Sequence, residues 1–459
     1  MNLHSLLHAR AEEGRPVRVG LIGAGKFGTM FLSQALHTPG LHVMGVADIN
    51  VKRAQENLAA THWPRHLYQA ASGAEALAEG TTWVGDDAES LINIGGLDVV
   101  VEATGDPDVG IRHALLAIER GRHLVMVNVE ADVVAGPYLA EKARKANVVY
   151  TLAYGDQPAL IVELVDWSRS CGLEVVAAGK GTLYMPEYHA INPDTVWEHY
   201  FGEGGGDRAR AGGMNAKMFT SFIDGTKSAI EMAAVSNATG LKPAPAGLSF
   251  PACAPEDLAC KLIPETAGGI LHHKGQVEVI SSRQRDGNDL ENHLRWGVYV
   301  TFQAPTDYVE RCFADYGLIT DPGGQYSALW RPYHLIGLEL GPSVASAALL
   351  NLPTGAPDAF RADVAATAKR DLQPGDVLDG EGGYTVWGRL MLAEDSMNLG
   401  AVPIGLAHGA TLKNPVKEGC VVTWSDLVLN PSLRESTAYV VRREMEATMA
   451  VTPGVESIS

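Results

Sequence analysis

Thr220, Asp224, Lys227 and Glu231 carry side chains able to move protons and hold anions, at spacings of four, three and four. Those spacings place them on one face of a single helix, expected from about residue 218 to 239. Phe222, Ile223, Ala229, Ile230 and Ala233 make that helix too apolar for a freely solvated one. In such a setting Lys227 binds an anionic group or protonates a developing alkoxide, while Asp224 and Glu231 orient it or bind a divalent metal. The plain alternative is an exposed Asp–Lys–Glu ladder. Lys180 stands between Gly179 and Gly181, just past an expected strand at 173–178. The glycines there admit a ligand to the lysine, or simply form a surface turn. Asp156 precedes Gln157-Pro158 as the N-cap of a helix and also faces the functional edge of a sheet. Glu130 and Asp132 form an acid pair after a core strand; they suit Mg²⁺ or Mn²⁺, or cap a helix. Arg208 and Arg210, in a glycine-rich loop at 202–213, read as a phosphate clamp or as a solvated loop. His272-His273 and the pair His189 and His199 lack ligand spacing with acids and read as ordinary.

The elements that must position these groups begin with a glycine turn, Gly23-Ala24-Gly25-Lys26-Phe27-Gly28. It follows an apolar strand at 17–22, opens a helix at 27–36, and leads to a second strand at 41–47 closed by Asp48. Strand, glycines, helix, strand and acid in that order form a dinucleotide-binding arrangement. Gly23 permits the tight turn, Gly25 lets backbone approach a pyrophosphate, and Gly28 brings helix against strand. The expected ligand is a nicotinamide dinucleotide. Asp48 favours NAD(H) through the ribose hydroxyls, whereas Lys52 and Arg53 offer the positive partner that a 2′-phosphate needs. Further strand and helix signals alternate to residue 152: strands at 97–103, 123–127 and 148–152, helices at 109–120 and 137–146. This rhythm predicts an α/β class with an N-terminal Rossmann doubly wound parallel sheet. Ligands of such sheets lie beyond the C-terminal strand ends, so Thr104, Gly105 and Asn128 are candidates to line the nicotinamide pocket.

At 459 residues the chain needs more than one core. The expected parts are a dinucleotide-binding domain at 1–153, an α+β catalytic domain at 154–332, a helix and linker at 333–362 packing back on the first domain, and a compact β-rich module at 363–459. A net charge of −18 argues against nucleic acid or an anionic membrane as partner. No apolar stretch approaches membrane-span length, and residues 1–15 show no signal-peptide hydrophobic region. Five scattered cysteines fit reduced thiols in a cytoplasmic protein. A small-molecule substrate and a second copy of the chain, as in a homo-oligomer (dimer), are the expected partners.

The N-terminal half resembles the homoserine dehydrogenase-like enzymes in its glycine turn, Val46-Ala47-Asp48, Glu102-Ala103-Thr104-Gly105 and the strand ending in Met126-Val127-Asn128. Where homoserine dehydrogenases carry Thr-Ala-Asn-Lys, this chain has Met126-Val127-Asn128-Val129, so that lysine is absent. The C-terminal module resembles a SAF domain. The combination, above all Thr220-Ser221-Phe222-Ile223-Asp224-Gly225-Thr226-Lys227, looks like the 1-deoxy-D-xylulose 5-phosphate reductoisomerase-like oxidoreductases. That resemblance implies NADPH-linked isomeroreduction of a phosphorylated ketose, as in isoprenoid precursor biosynthesis, and tips the cofactor toward NADP(H). The function expected is thus an NAD(P)H-dependent oxidoreductase acting on a small phosphorylated ketose or related polyhydroxy carbonyl compound. Its rivals are a dehydrogenase of a sugar acid or polyol phosphate, and a carbohydrate-binding or cofactor-sensing regulatory protein.

Overall fold

The computed structural model describes residues 2–202, 205–211 and 214–449. The chain divides into two compact units, Met1–Leu160 with Leu335–Asp358 and Ile161–His334 with Ala359–Ser459.

In the first unit the apolar runs become six parallel strands: β1 (Val17–Ile22), β2 (Leu41–Ala47), β3 (Trp83–Gly85), β4 (Val99–Glu102), β5 (His123–Met126) and β6 (Tyr150–Leu152). Their spatial order is β3-β2-β1-β4-β5-β6. That is the doubly wound Rossmann order, so the connections reverse between β1 and β4 and open a crevice there. Continuous Val, Leu and Ile runs suit strands covered on both faces. Val19, Leu21, Val46, Val99 and Val101 form the core with Phe31 and Leu32, and with Leu340 and Val344 from the returning segment. One helix differs from expectation. It runs Val129–Lys145, starting well before residue 137, because the Asn128 side chain caps it by accepting from the Ala131 N–H at 3.1 Å.

The second unit is built on a mixed sheet, order β10-β9-β7-β8, of β7 (Glu174–Thr182), β8 (Gln276–Ser281), β9 (Val298–Gln303) and β10 (Tyr326–Arg331). β7 pairs parallel with β8 and antiparallel with β9. It continues past residue 178 through Lys180 to Thr182. A Cβ on Gly179 would strike the Glu278 carbonyl, and one on Gly181 the Leu294 carbonyl. These glycines therefore admit neighbouring backbone rather than a ligand, which corrects the turn expected there.

The single helix expected at 218–239 is two, Ala216–Ile223 and Thr226–Thr239. Gly225, at φ +95°, separates them in a conformation that costs any other residue strain. The C-terminal part forms an antiparallel pair, β11 (Ala362–Ala368) and β12 (Val386–Leu392), packed on the helix Thr226–Thr239. Contact is close at Gly388, whose N–H donates to Thr226 Oγ1 at 2.9 Å. The last helix, Thr437–Thr448, is anchored by Arg442. Only 1% exposed, Arg442 reaches Asp363 Oδ2 at 2.5 Å and Glu446 Oε1 at 2.7 Å. Among the described residues no helix is long and apolar enough to cross a membrane.

Candidate active site and dinucleotide cradle

In the first unit the turn after β1 has the shape its glycines require. A Cβ on Gly23 (φ +94°) would lie 2.5 Å from the Ala103 carbonyl oxygen, and one on Gly28 would collide with the Gly23 carbonyl. A Cβ on Gly25 would meet nothing within 4 Å. Open space thus lies over the residue that begins the helix Lys26–Ala35, and no side chain caps that helix start. The uncapped N–H groups and the helix dipole suit an anion there, so the residues fit a dinucleotide diphosphate. Lys26 is exposed at the same end, and Phe27 turns toward the core.

Asp48 sits buried at the end of β2 with both carboxylate oxygens engaged. It accepts from the Ala24 N–H at 2.8 Å and the Asn50 N–H at 2.8 Å, and Arg53 Nη2 donates to its two oxygens at 2.9 and 3.0 Å. The Arg53 side chain remains half exposed. Thr104 and Gly105 lie exposed past β4, while Asn128 is 2% exposed. Its amide donates to the Asp106 carbonyl at 2.8 Å and caps a helix, so it braces the strand ends rather than lining an open pocket.

In the second unit the period-two alternation of β7 aims Lys180 and Thr182 at the two helices around Gly225. Lys180 ion-pairs with Glu231, both nearly buried. Among the described residues its ammonium has no second partner. Thr182 Oγ1 donates to the Phe222 carbonyl at 3.4 Å. Asp224, fully buried, pairs with Lys369 at 2.8 Å and accepts from the Thr226 N–H at 2.8 Å. Lys369 Nζ also donates to the carbonyls of Ile191 (2.6 Å) and Gly383 (2.9 Å). Two of its protons are thereby committed to carbonyls and its charge faces Asp224, which makes it a fixed counter-charge and leaves Lys180 as the lysine with donors to spare.

The Asp224 carbonyl accepts from His189 Nδ1 at 2.6 Å, so His189 Nε2 accepts from the Tyr184 hydroxyl at 2.9 Å. Burial holds the imidazole below its usual pKa and pushes the Tyr184 phenol up to about 12. Trp387 stacks on His189 at 3.8 Å and Phe250 on Tyr184 at 3.9 Å. Phe250 sits at φ +50°, a conformation unfavourable for an aromatic residue. The buried Glu278 carboxylate holds it there, accepting from the N–H groups of Ser249 (3.1 Å) and Phe250 (3.3 Å).

Several expected sites come out differently. Asp224, Lys227 and Glu231 form no one-faced ladder: Gly225 breaks the helix, and the two acids pair with cations from β7 and from the end of β11. Lys227 is half-buried in the first turn of the second helix. Asp156 is buried and its carboxylate accepts from the Gln157 N–H at 2.9 Å, at the start of the helix Gln157–Ser170. Glu130 and Asp132 are not brought together as a metal site, because two residues apart on a helix they point to different sides. Asp132 is fully buried and accepts from the Tyr150 hydroxyl at 2.7 Å, and desolvation raises its pKa to about 7. Among the described residues no group of three or more His, Cys, Asp or Glu is placed to hold a metal ion. The glycine-rich loop instead contains a short helix, Gly205–Ala211. There Arg210 lies exposed, 3.5 Å from Asp207, and the side chain of Arg208 falls outside the described residues. Sequence reading missed Lys369, His189 and Tyr184. For Lys369 the one local signal is a lysine at the end of an apolar strand.

Residues 155–340 match the family model described as the catalytic domain of the oxidoreductase DRL, in agreement with the oxidoreductase class expected from the residues. No curated protein matches the sequence. Among solved structures, the chain is similar to a myo-inositol dehydrogenase from Corynebacterium glutamicum ATCC 13032, at 14% identity over 39% of this chain and 48% of that one (TM-score 0.28). It is similar to the myo-inositol dehydrogenase from Lactobacillus casei solved with NAD(H) and myo-inositol, at 16% identity over 40% and 50% (TM-score 0.28). The third is biliverdin reductase from Synechocystis sp. PCC 6803, solved with biliverdin and NADP+, at 18% identity over 41% and 53% (TM-score 0.24). The chain spans about half the length of each of these structures, and likeness at this level carries no argument about activity.

Proposed function

We propose that this chain is an NAD(P)H-dependent oxidoreductase of a small polyhydroxylated carbonyl compound, with NADP(H) the favoured cofactor. The observation that carries the reading is the open, uncapped helix start at Gly25, set beside β1 in a 3-2-1-4-5-6 sheet. The oxidoreductase match at 155–340 supports it. A bound nicotinamide supplies the hydride. The backbone N–H groups of the first turn after Gly25 hold the diphosphate. Arg53 already neutralises Asp48 and keeps an exposed guanidinium edge, which suits a 2′-phosphate better than a bare diol. Lys180 gives a proton to the carbonyl oxygen as it becomes an alcohol, and Glu231 orients the lysine. Asp224, Lys369 and His189 hold the helix break in place beside that pair.

A second reading is isomeroreduction of a phosphorylated ketose, 1-deoxy-D-xylulose 5-phosphate in its sharpest form. It is favoured by the DRL match, which covers the stretch 220–227 that carries the sequence resemblance. Residues 363–459, read as a SAF-like module, serve either reaction by delivering Lys369 to Asp224. Steady-state assays with NADPH and NADH over sugar phosphates and sugar acids separate the two. Reversible interconversion of one alcohol and one carbonyl supports the first reading, and a rearranged carbon skeleton supports the second. Absence of any dinucleotide binding would sink both.

A further inference from the structure

Ala24, between the first two glycines of the turn after β1, is fully buried, and side chains from farther along the chain hold both its backbone groups. Its N–H donates to Asp48 Oδ2 at 2.8 Å, and its carbonyl accepts from Asn57 Nδ2 at 2.7 Å. Asn57 is half-buried on the helix Val51–Ala60. That helix is itself fixed. Ala54 and Leu58 lie in the core of the first unit, and the Asn50 side chain caps the helix by accepting from the Arg53 N–H at 3.0 Å.

The Asn57 contact changes what the turn presents. In an α-helix a carbonyl accepts from the N–H four residues on. The Gly25 carbonyl does so, accepting from the Thr29 N–H at 2.9 Å. The Ala24 carbonyl does not. Asn57 occupies it, and among the described residues the N–H groups of Gly25, Lys26, Phe27 and Gly28 have no acceptor. A planar trans peptide points its carbonyl and its N–H in opposite directions. Drawing the Ala24 carbonyl toward the helix Val51–Ala60 therefore turns the Gly25 N–H away from that helix. These donors gather at a helix start where a Cβ on Gly25 would meet nothing within 4 Å.

We propose that Asn57 is a positioning residue for the dinucleotide diphosphate: by holding the Ala24 carbonyl it fixes the turn with its N–H groups open to the anion. That role rests on the oxidoreductase reading and its bound dinucleotide. The test is calorimetric titration of the full chain with two probes. One is 2′-phospho-ADP-ribose, which carries the diphosphate, and the other is adenosine 2′-monophosphate, which lacks it. The parent is expected to bind the first about tenfold or more tighter than the second. Asn57→Leu, similar in size but without a donor, and Asn57→Ala each cut that advantage about fivefold or more. Both leave adenosine 2′-monophosphate within about twofold of the parent, and Asn57→Gln, which keeps an amide donor, retains more of the advantage than either. Arg53→Ala behaves differently: it weakens both probes together and keeps the advantage. A purely structural Asn57 would lower the urea midpoint and leave the advantage alone. An advantage unchanged in Asn57→Leu and Asn57→Ala, or absent from the parent, overturns the proposal. A parent that binds neither probe nor NADPH sinks the oxidoreductase reading, and this role with it.

Discussion

In the first unit Asp132 is fully buried against the Tyr150 hydroxyl, and its second oxygen has no hydrogen-bond partner. Glu102, equally buried, accepts from Thr104 Oγ1 at 2.6 Å and contacts His113 at 3.4 Å, again with one oxygen unpartnered. In the second unit three buried carboxylates face a buried cation, Glu231 with Lys180, Asp224 with Lys369 and Asp363 with Arg442, while Glu278 is held by the N–H groups of Ser249, Phe250 and Val279. A buried acid escapes the cost of a bare charge either by keeping its proton or by pairing. Asp132 takes the first route and carries a pH dependence. Glu231, Asp224 and Asp363 take the other route, and their ion pairs pin segments that are far apart in the chain.

The largest expected effect comes from breaking a pair. Arg442→Met leaves Asp363 charged and buried and is expected to cost about 3–5 kcal/mol in urea denaturation. Adding Asp363→Leu should recover most of that loss, and if it does not, pairing is the wrong description of this site. Next, Lys180→Met should lower kcat by about 10²-fold or more with NADPH binding intact. Lys369→Met should chiefly lower stability, because its ammonium is already held by two carbonyls and paired with Asp224. Equal kcat losses in stable variants of both lysines would erase the distinction between them.

Asp132 tests the unpaired route. Its folded pKa of about 7 exceeds the ordinary 3.8, so between those values the folded state holds a proton that the unfolded state has released. Its contribution is full below about pH 4, falls by about one kcal/mol per pH unit as pH rises, and is gone above about pH 7. Denaturation curves of the parent and Asp132→Asn across that window should diverge by this slope, and parallel curves would refute it. The smallest effect belongs to Arg53→Ala. Freeing Asp48 for ribose hydroxyls should shift the ratio of kcat/KM for NADPH over NADH toward NADH by about tenfold.

The Rossmann half was legible because its signals are local. An unbroken apolar run, a fixed glycine spacing and an acid at the next strand end each report on their own surroundings. The start of the helix at Val129 was not, since Asn128 looks like a pocket residue until its side chain is seen capping that helix. The break at Gly225 hid inside a good helical pattern, where an isolated glycine is tolerated. Gly179-Lys180-Gly181 read as a ligand-admitting strand end or a surface turn, yet the carbonyls of Glu278 and Leu294 are what approach those glycines. His189 looked ordinary because its partner is a backbone carbonyl, which no residue pattern announces.

By itself the sequence determined that a parallel sheet carries a dinucleotide-type glycine turn, and that Lys180, Asp224 and Glu231 belong among the polar groups of a mostly apolar region. Only the tertiary structure decided that Glu231 answers Lys180, that Asp224 answers Lys369, and that Asp132 answers no cation among the described residues. The reason is physical: periodicity and turn chemistry act over a few neighbouring residues, whereas desolvation and Coulomb attraction depend on distances set when remote segments pack.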